Sequence, residues 1–119
     1  MADKRTYEGG CHCGKVRYKV ATDLAQVIEC NCSICSKKGS LLTFVMPEQF
    51  DLVSGQDEVT SYLFNRQVIH HLFCKTCGVE SYASGVGPGG KAMFAINVRC
   101  LEGVDTSGLE RTPFDGRSL

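Results

Sequence analysis

Seven of the eight cysteines in this chain fall into three short clusters, and clustered thiolates bind metal ions. Cys11-His12-Cys13-Gly14 and Cys74-Lys75-Thr76-Cys77-Gly78 are two chelating turns. In each, two thiolates stand close enough to grip one ion, and the glycine after the second cysteine permits a tight backbone turn. The two turns together supply the four sulfurs of a closed tetrahedral zinc site. They are far apart in sequence, so zinc on Cys11, Cys13, Cys74 and Cys77 would tie the start of the domain to its later strands. A small core without disulfides needs such a tie. The alternatives are free buried thiols or a redox Cys-x-x-Cys pair. No thioredoxin-like strand–helix context surrounds Cys74 and Cys77, which favours structural zinc.

The third cluster is Cys30-Asn31-Cys32-Ser33-Ile34-Cys35. Three thiolates so close can wrap one face of an ion. Three protein ligands with a fourth position open is the arrangement of catalytic zinc. A structural site closed by a fourth residue and a redox cluster are the alternatives. Cys100, His12, His70 and His71 are the other cysteine and histidines available to close it. Nothing adjacent in sequence completes the set, so Cys30, Cys32 and Cys35 are expected to form an open site.

These remaining residues also have plainer roles. Cys100 ends an apolar run, where a lone cysteine is usually a small core residue. His70 and His71 lie on one strand with opposite faces, so at most one of them points toward a given site. His12 is held near a metal simply by standing between two ligands. Lys37 and Lys38 follow the three-cysteine cluster. They either offset the excess negative charge of three thiolates on a divalent ion or form a solvated turn.

The elements that must position these groups are short and mostly β. Residues 15–20, Lys-Val-Arg-Tyr-Lys-Val, have a strict period of two, with Val16, Tyr18 and Val20 facing a core. Further strands are expected at Val27–Cys30, at Leu41–Met46 before Pro47, and at Phe50–Val53 before Ser54-Gly55. Val59–Phe64 and Val68–Phe73 flank Asn65-Arg66 as a hairpin. Tyr82 and its neighbours and Ala92–Val98 complete about eight short strands. The glycine-rich segment Gly85–Gly90 reads as a loop. The tail after Leu101, with its glycines and Pro113, reads as irregular. The fold class is therefore mostly β, in a single domain over residues 1–119.

Charge and hydropathy exclude other classes. With 13 basic and 13 acidic residues, the formal net charge is zero. A nucleic-acid binder usually needs a basic face, so no nucleic-acid partner is expected. No stretch approaches the ~20 apolar residues of a membrane span, and the first ten residues contain no signal-peptide-like segment. The expected location is the cytoplasm, where thiols stay reduced and clustered cysteines serve as ligands rather than as disulfides.

Four motifs stand in one order: Gly10-Cys11-His12-Cys13-Gly14, Cys30-Asn31-Cys32-Ser33-Ile34-Cys35, Leu72-Phe73-Cys74-Lys75-Thr76-Cys77-Gly78 and Asn97-Val98-Arg99-Cys100-Leu101-Glu102-Gly103. Phe114-Asp115-Gly116 follows near the end. Over nearly the whole chain this pattern resembles the family of glutathione-dependent formaldehyde-activating enzymes and centromere protein V. The resemblance implies a zinc-bound β-tent of short antiparallel strands. It implies two zinc ions per chain, one structural on Cys11, Cys13, Cys74 and Cys77, the other catalytic on Cys30, Cys32 and Cys35. The founding enzymes join glutathione and formaldehyde into S-hydroxymethylglutathione, a carbon–sulfur lyase reaction run in reverse. Many bacterial relatives have His-Pro after the last cysteine turn. Glu80-Ser81-Tyr82 stands there in this chain, which is closer to the centromere-protein side.

The function expected from the open site and the resemblance is that of a zinc-dependent carbon–sulfur lyase-like enzyme. Its partners would be a small thiol such as glutathione and an aldehyde. No general base is legible in the sequence. The alternative is a non-catalytic module in which both zinc ions are structural and the surface binds a protein.

Overall fold

The alternation at residues 15–20 sets one sheet directly. Val16, Tyr18 and Val20 are buried, while Lys15 and Lys19 remain exposed. The computed structural model describes residues 5–63, 69–86 and 90–115. Among them, β2 (Arg17–Thr22) is the centre of a three-stranded antiparallel sheet, flanked by β1 (Arg5–Gly10) and β5 (Phe50–Ser54).

The second sheet has seven strands. They are β3 (Ile28–Cys30), β4 (Leu42–Val45), β6 (Val59–Tyr62), β7 (His70–Cys74), β8 (Tyr82–Val86), β9 (Ala92–Asn97) and β10 (Thr112–Phe114). Their order across the sheet is β10-β3-β4-β9-β8-β7-β6. β10 lies parallel to β3, and the other neighbours are antiparallel. A six-residue helix, α1 (Ser33–Lys38), connects β3 to β4. The fold is mostly β, as the sequence indicates.

The sheets meet through aromatic rings. Phe50 of the small sheet stacks on Phe94 of the large one, with centroids 4.4 Å apart. Tyr18 meets Tyr82 edge-on at 5.8 Å. Offset and edge-to-face pairs of this kind add about 0.5–1.5 kcal/mol beyond their buried area. The buried Tyr18 hydroxyl donates to the Ser81 carbonyl at 2.8 Å, which satisfies its one polar atom. Leu41, Val45, Ile96 and Val98 extend the core under the large sheet.

The strand boundaries follow local chemistry. β4 stops at Val45, and Pro47 opens a 3₁₀ turn that leads into β5. β6 and β7 pair in antiparallel register, as expected of a hairpin, and the Asn65-Arg66 turn lies outside the described residues. In the glycine-rich stretch, Gly85 and Val86 belong to β8, and residues 87–89 lie outside the described residues. Two strands depart from the sequence reading. β1 carries no apolar alternation and forms because β2 offers its edge. The tail is not irregular throughout: Thr112–Phe114 adds to β3, with the Thr112 amide donating to the Val27 carbonyl at 2.8 Å. Among the described residues, no helix is long and apolar enough to cross a membrane.

Candidate metal centre

The four-cysteine cluster is assembled by two turns at strand ends. Cys11 directly follows β1, and Cys74 is the last residue of β7. The Cys11 amide donates to the Val16 carbonyl at 3.1 Å, closing the first turn, and the Gly78 amide donates to the Cys74 carbonyl at 2.9 Å, closing the second. Gly14 and Gly78 both have positive φ, at 86° and 80°. A side chain at either position would be strained, so the glycine after each cysteine pair is the residue the turn requires.

The sulfurs of Cys11, Cys13, Cys74 and Cys77 all lie within 4.8 Å of one another. Cys13 Sγ is 3.6 Å from Cys11 Sγ and 3.6 Å from Cys74 Sγ. A tetrahedron built on zinc–sulfur bonds of about 2.3 Å has edges of about 3.8 Å, so this set fits a zinc ion. Backbone amides also aim at the sulfurs. Val16 N–H donates to Cys11 Sγ at 3.3 Å and Thr76 N–H to Cys74 Sγ at 3.4 Å. The Val79 and Cys13 amides pull the Cys77 thiol down to about 6, close to the thiolate form that a metal needs.

The three-cysteine cluster forms where β3 runs into α1. Cys30 ends β3, Cys32 is the N-cap of α1, and Cys35 lies in its first turn. Cap-to-third-residue spacing places Cys32 and Cys35 on one face of the helix. Gly39 ends the helix in the left-handed conformation, its amide donating to the Cys35 carbonyl. The three sulfurs lie within 4.8 Å of one another. Burial raises the Cys30 and Cys35 thiols. Burial acts the same way on Cys32, but amide and thiol donors outweigh it, so Cys32 is the most acidic of the three.

Among the described residues, no fourth cysteine or histidine joins this cluster within ligand distance. His12 is exposed. His70 faces outward, its Nδ1 3.0 Å from Ser61 Oγ. Cys100 directs its thiol to the Glu80 carbonyl at 3.9 Å, and burial pushes that thiol up to about 11.

The cluster opens on a cavity of about 250 Å³. Three polar side chains that the sequence reading did not assemble line it beside the thiols: Lys38, His71 and Glu80. The Glu80 side chain is only 9% exposed. One of its carboxylate oxygens pairs with Lys38 Nζ, and the other is 3.3 Å from His71 Nδ1. Burial alone would raise the Glu80 carboxyl, but these two partners hold it below its ordinary value. Of the two adjacent histidines, it is His71 that turns inward, as one face of β7 requires. Both lysines are exposed, and Lys38 is the one that lines the cavity. In the sequence Glu80 stood out only as part of Glu80-Ser81-Tyr82, with no sign of its partners. Nothing in the linear chain shows that α1 and β7 meet there.

The solved structure of a Rhodobacter sphaeroides protein superposes with a TM-score of 0.78 at 30% identity, over 89% of this chain and 97% of that one. The family model described as glutathione-dependent formaldehyde-activating enzyme matches residues 6–110. Those residues hold both cysteine clusters and every described lining residue of the cavity except Phe114, so the chain belongs to the glutathione-dependent formaldehyde-activating enzyme family.

Proposed function

We propose that residues 1–119 form one zinc-dependent enzyme domain that makes and breaks a carbon–sulfur bond between a thiol and an aldehyde. The observation that carries this reading is the opening of the Cys30, Cys32 and Cys35 cluster onto a cavity that also holds Glu80 and His71. Cys11, Cys13, Cys74 and Cys77 hold a structural zinc in this reading, and Cys30, Cys32 and Cys35 hold a catalytic one. When bound there, zinc supplies a Lewis acid that favours the thiolate over the thiol.

The chain's own residues supply the proton chemistry. In the lyase direction the substrate is a thioether whose carbon carries a hydroxyl. Its hydroxyl proton passes to the His71–Glu80 pair as the carbon–sulfur bond breaks. The bonding electrons leave with sulfur as a thiolate, and the carbon becomes an aldehyde. The synthetic direction returns the proton. His71 and Lys38 keep Glu80 ionised, and the carboxylate orients the His71 imidazole that receives the proton. Glutathione and formaldehyde are the pair that the family description names. The neutral net charge offers no electrostatic attraction for nucleic acid. The cytoplasm, with its reduced thiols, suits the ligand set.

The test is a titration of thiols into cobalt-substituted protein, following the thiolate-to-metal charge-transfer band, with Cys32→Ser as control. The same samples are assayed for formation and cleavage of hydroxymethyl thioethers. A thiol-dependent band with turnover supports the enzyme. A spectrum indifferent to every thiol, with no turnover, would leave a zinc-stabilised binding domain.

A further inference from the structure

The cavity beside the three cysteines is apolar on almost every wall. Ile28, Ile34, Leu42, Phe44, Ile69 and Phe114 surround the Lys38–His71–Glu80 corner. Its floor is a row across four strands. Phe44 of β4 pairs with Ala95 of β9, Ala95 with Ala83 of β8, and Ala83 with His71 of β7. The two alanines keep the middle of that row low between Phe44 and His71, and the thiols line the same cavity. A second small cavity shares Phe44, Ile69, Ala83 and Ala95 and runs on to Val86 and Met93.

The rim is apolar as well. Phe44, Ile69 and Phe114 are 47%, 46% and 46% exposed, and all three stand at this cavity. Large apolar side chains gathered at one opening mark a binding surface rather than ordinary scatter. The charge is equally one-sided. The one cation lining the cavity among the described residues, Lys38, is already paired with Glu80. The depression that also touches Cys30 and Cys35 is lined by Glu29, which pairs with Arg111, and by Asp115, with no lysine or arginine among its described lining residues. Glutathione carries two carboxylates beyond its sulfur. Neither depression offers them an uncommitted cation among its described lining residues, and burying a carboxylate without a partner is costly.

We infer that the thiol this site accepts has an uncharged, apolar body, alkyl or aryl, rather than the charged tripeptide of glutathione. The sulfur lies at Cys30, Cys32 and Cys35, and the hydrocarbon lies along the Phe44–Ala95–Ala83 row. This inference rests on the proposed thiol chemistry and narrows its substrate class.

The experiment uses zinc-loaded protein with ¹³C-methyl alanine. Ethanethiol, propanethiol, butanethiol, benzyl mercaptan and glutathione are titrated separately while the Ala83 and Ala95 methyl signals are followed. Affinity should rise about three- to fourfold per added methylene in the alkyl series, the factor expected for burying one CH₂. Glutathione should bind at least about tenfold more weakly than butanethiol. Phe44→Ser and Phe114→Ser alter exposed rim positions, so the fold should persist while the dependence on chain length flattens. Affinity that is flat along the series, or glutathione binding as tightly as butanethiol, overturns the inference. Turnover is scored separately on the same thiols. Glutathione turnover without any apolar preference removes this inference and keeps the proposed enzyme. Methyl shifts that follow chain length, with no carbon–sulfur turnover for any thiol, keep the apolar site and remove the enzyme.

Discussion

Cys13 Sγ lies 3.6 Å from Cys74 Sγ although 61 positions separate the two residues. A metal ion held between them would close about half of the chain into one loop and join the end of β1 to the end of β7. Such a site is absent from the unfolded chain, so its binding free energy contributes directly to folding. Cys74→Ser should therefore unfold the domain, read as loss of dispersed amide signals. A Cys74→Ser protein that stays folded while Cys32→Ser does not would invert the two assignments.

The second cluster should release its metal first. Three ligands beside an open cavity exchange more readily than four closed ones. Mild chelation should remove about one equivalent of zinc while far-ultraviolet circular dichroism stays unchanged. Cys32→Ser should remain folded and contain one equivalent fewer than the parent protein by metal analysis. Simultaneous loss of all metal and fold at the lowest effective chelator concentration would refute this asymmetry.

Cys100 should bind no metal. Its thiol points to the Glu80 carbonyl, and burial holds it protonated. Cys100→Ser should keep the full zinc content and cost no more than about 1 kcal/mol, the scale of one modest hydrogen-bond change. Loss of an equivalent of zinc in this variant would mean that Cys100 closes the second site.

Glu80 links the surroundings of the two cysteine clusters. It lies just beyond the Cys77 turn, and its carboxylate reaches Lys38 on the helix of Cys35 and His71 on the strand of Cys74. Glu80→Gln should lower carbon–sulfur turnover by about a hundredfold, the usual contribution of a positioned acid–base group. Its effect on stability has a defined pH window. Lys38 and His71 overcome burial and hold the folded-state pKa of Glu80 below its ordinary 4.5. A carboxylate depressed in this way contributes stability that is fully present above the unfolded value and is lost as pH falls through the folded one. Urea unfolding at matched zinc should show a constant gap between parent and Glu80→Gln from pH 7 to about 5, narrowing below that. A gap that widens with acid would contradict the ionised pair.

The four-cysteine site was legible because each half is local. Cys11 and Cys13 flank one residue, Cys74 and Cys77 flank two, and a short turn suffices to bring each pair onto an ion. The core face of β2 was legible for the same reason, since a period of two is written into Val16, Tyr18 and Val20. The three-cysteine cluster and the absence of an adjacent fourth ligand could also be read from spacing. What spacing could not supply was any group contributed by a separate element. Glu80, His71 and Lys38 come from a loop, a strand and a helix, and they converge only where the Glu80 carboxylate meets Lys38 at the end of α1 and His71 on β7. The inward choice of His71 over His70 depended on which face of β7 the sheet buries, and a lone pair of histidines carries no such sign. The apolar walls were equally hidden. Ala83, Ala95 and Phe44 form a row only through antiparallel register, and register is a property of pairing between strands rather than of any one of them.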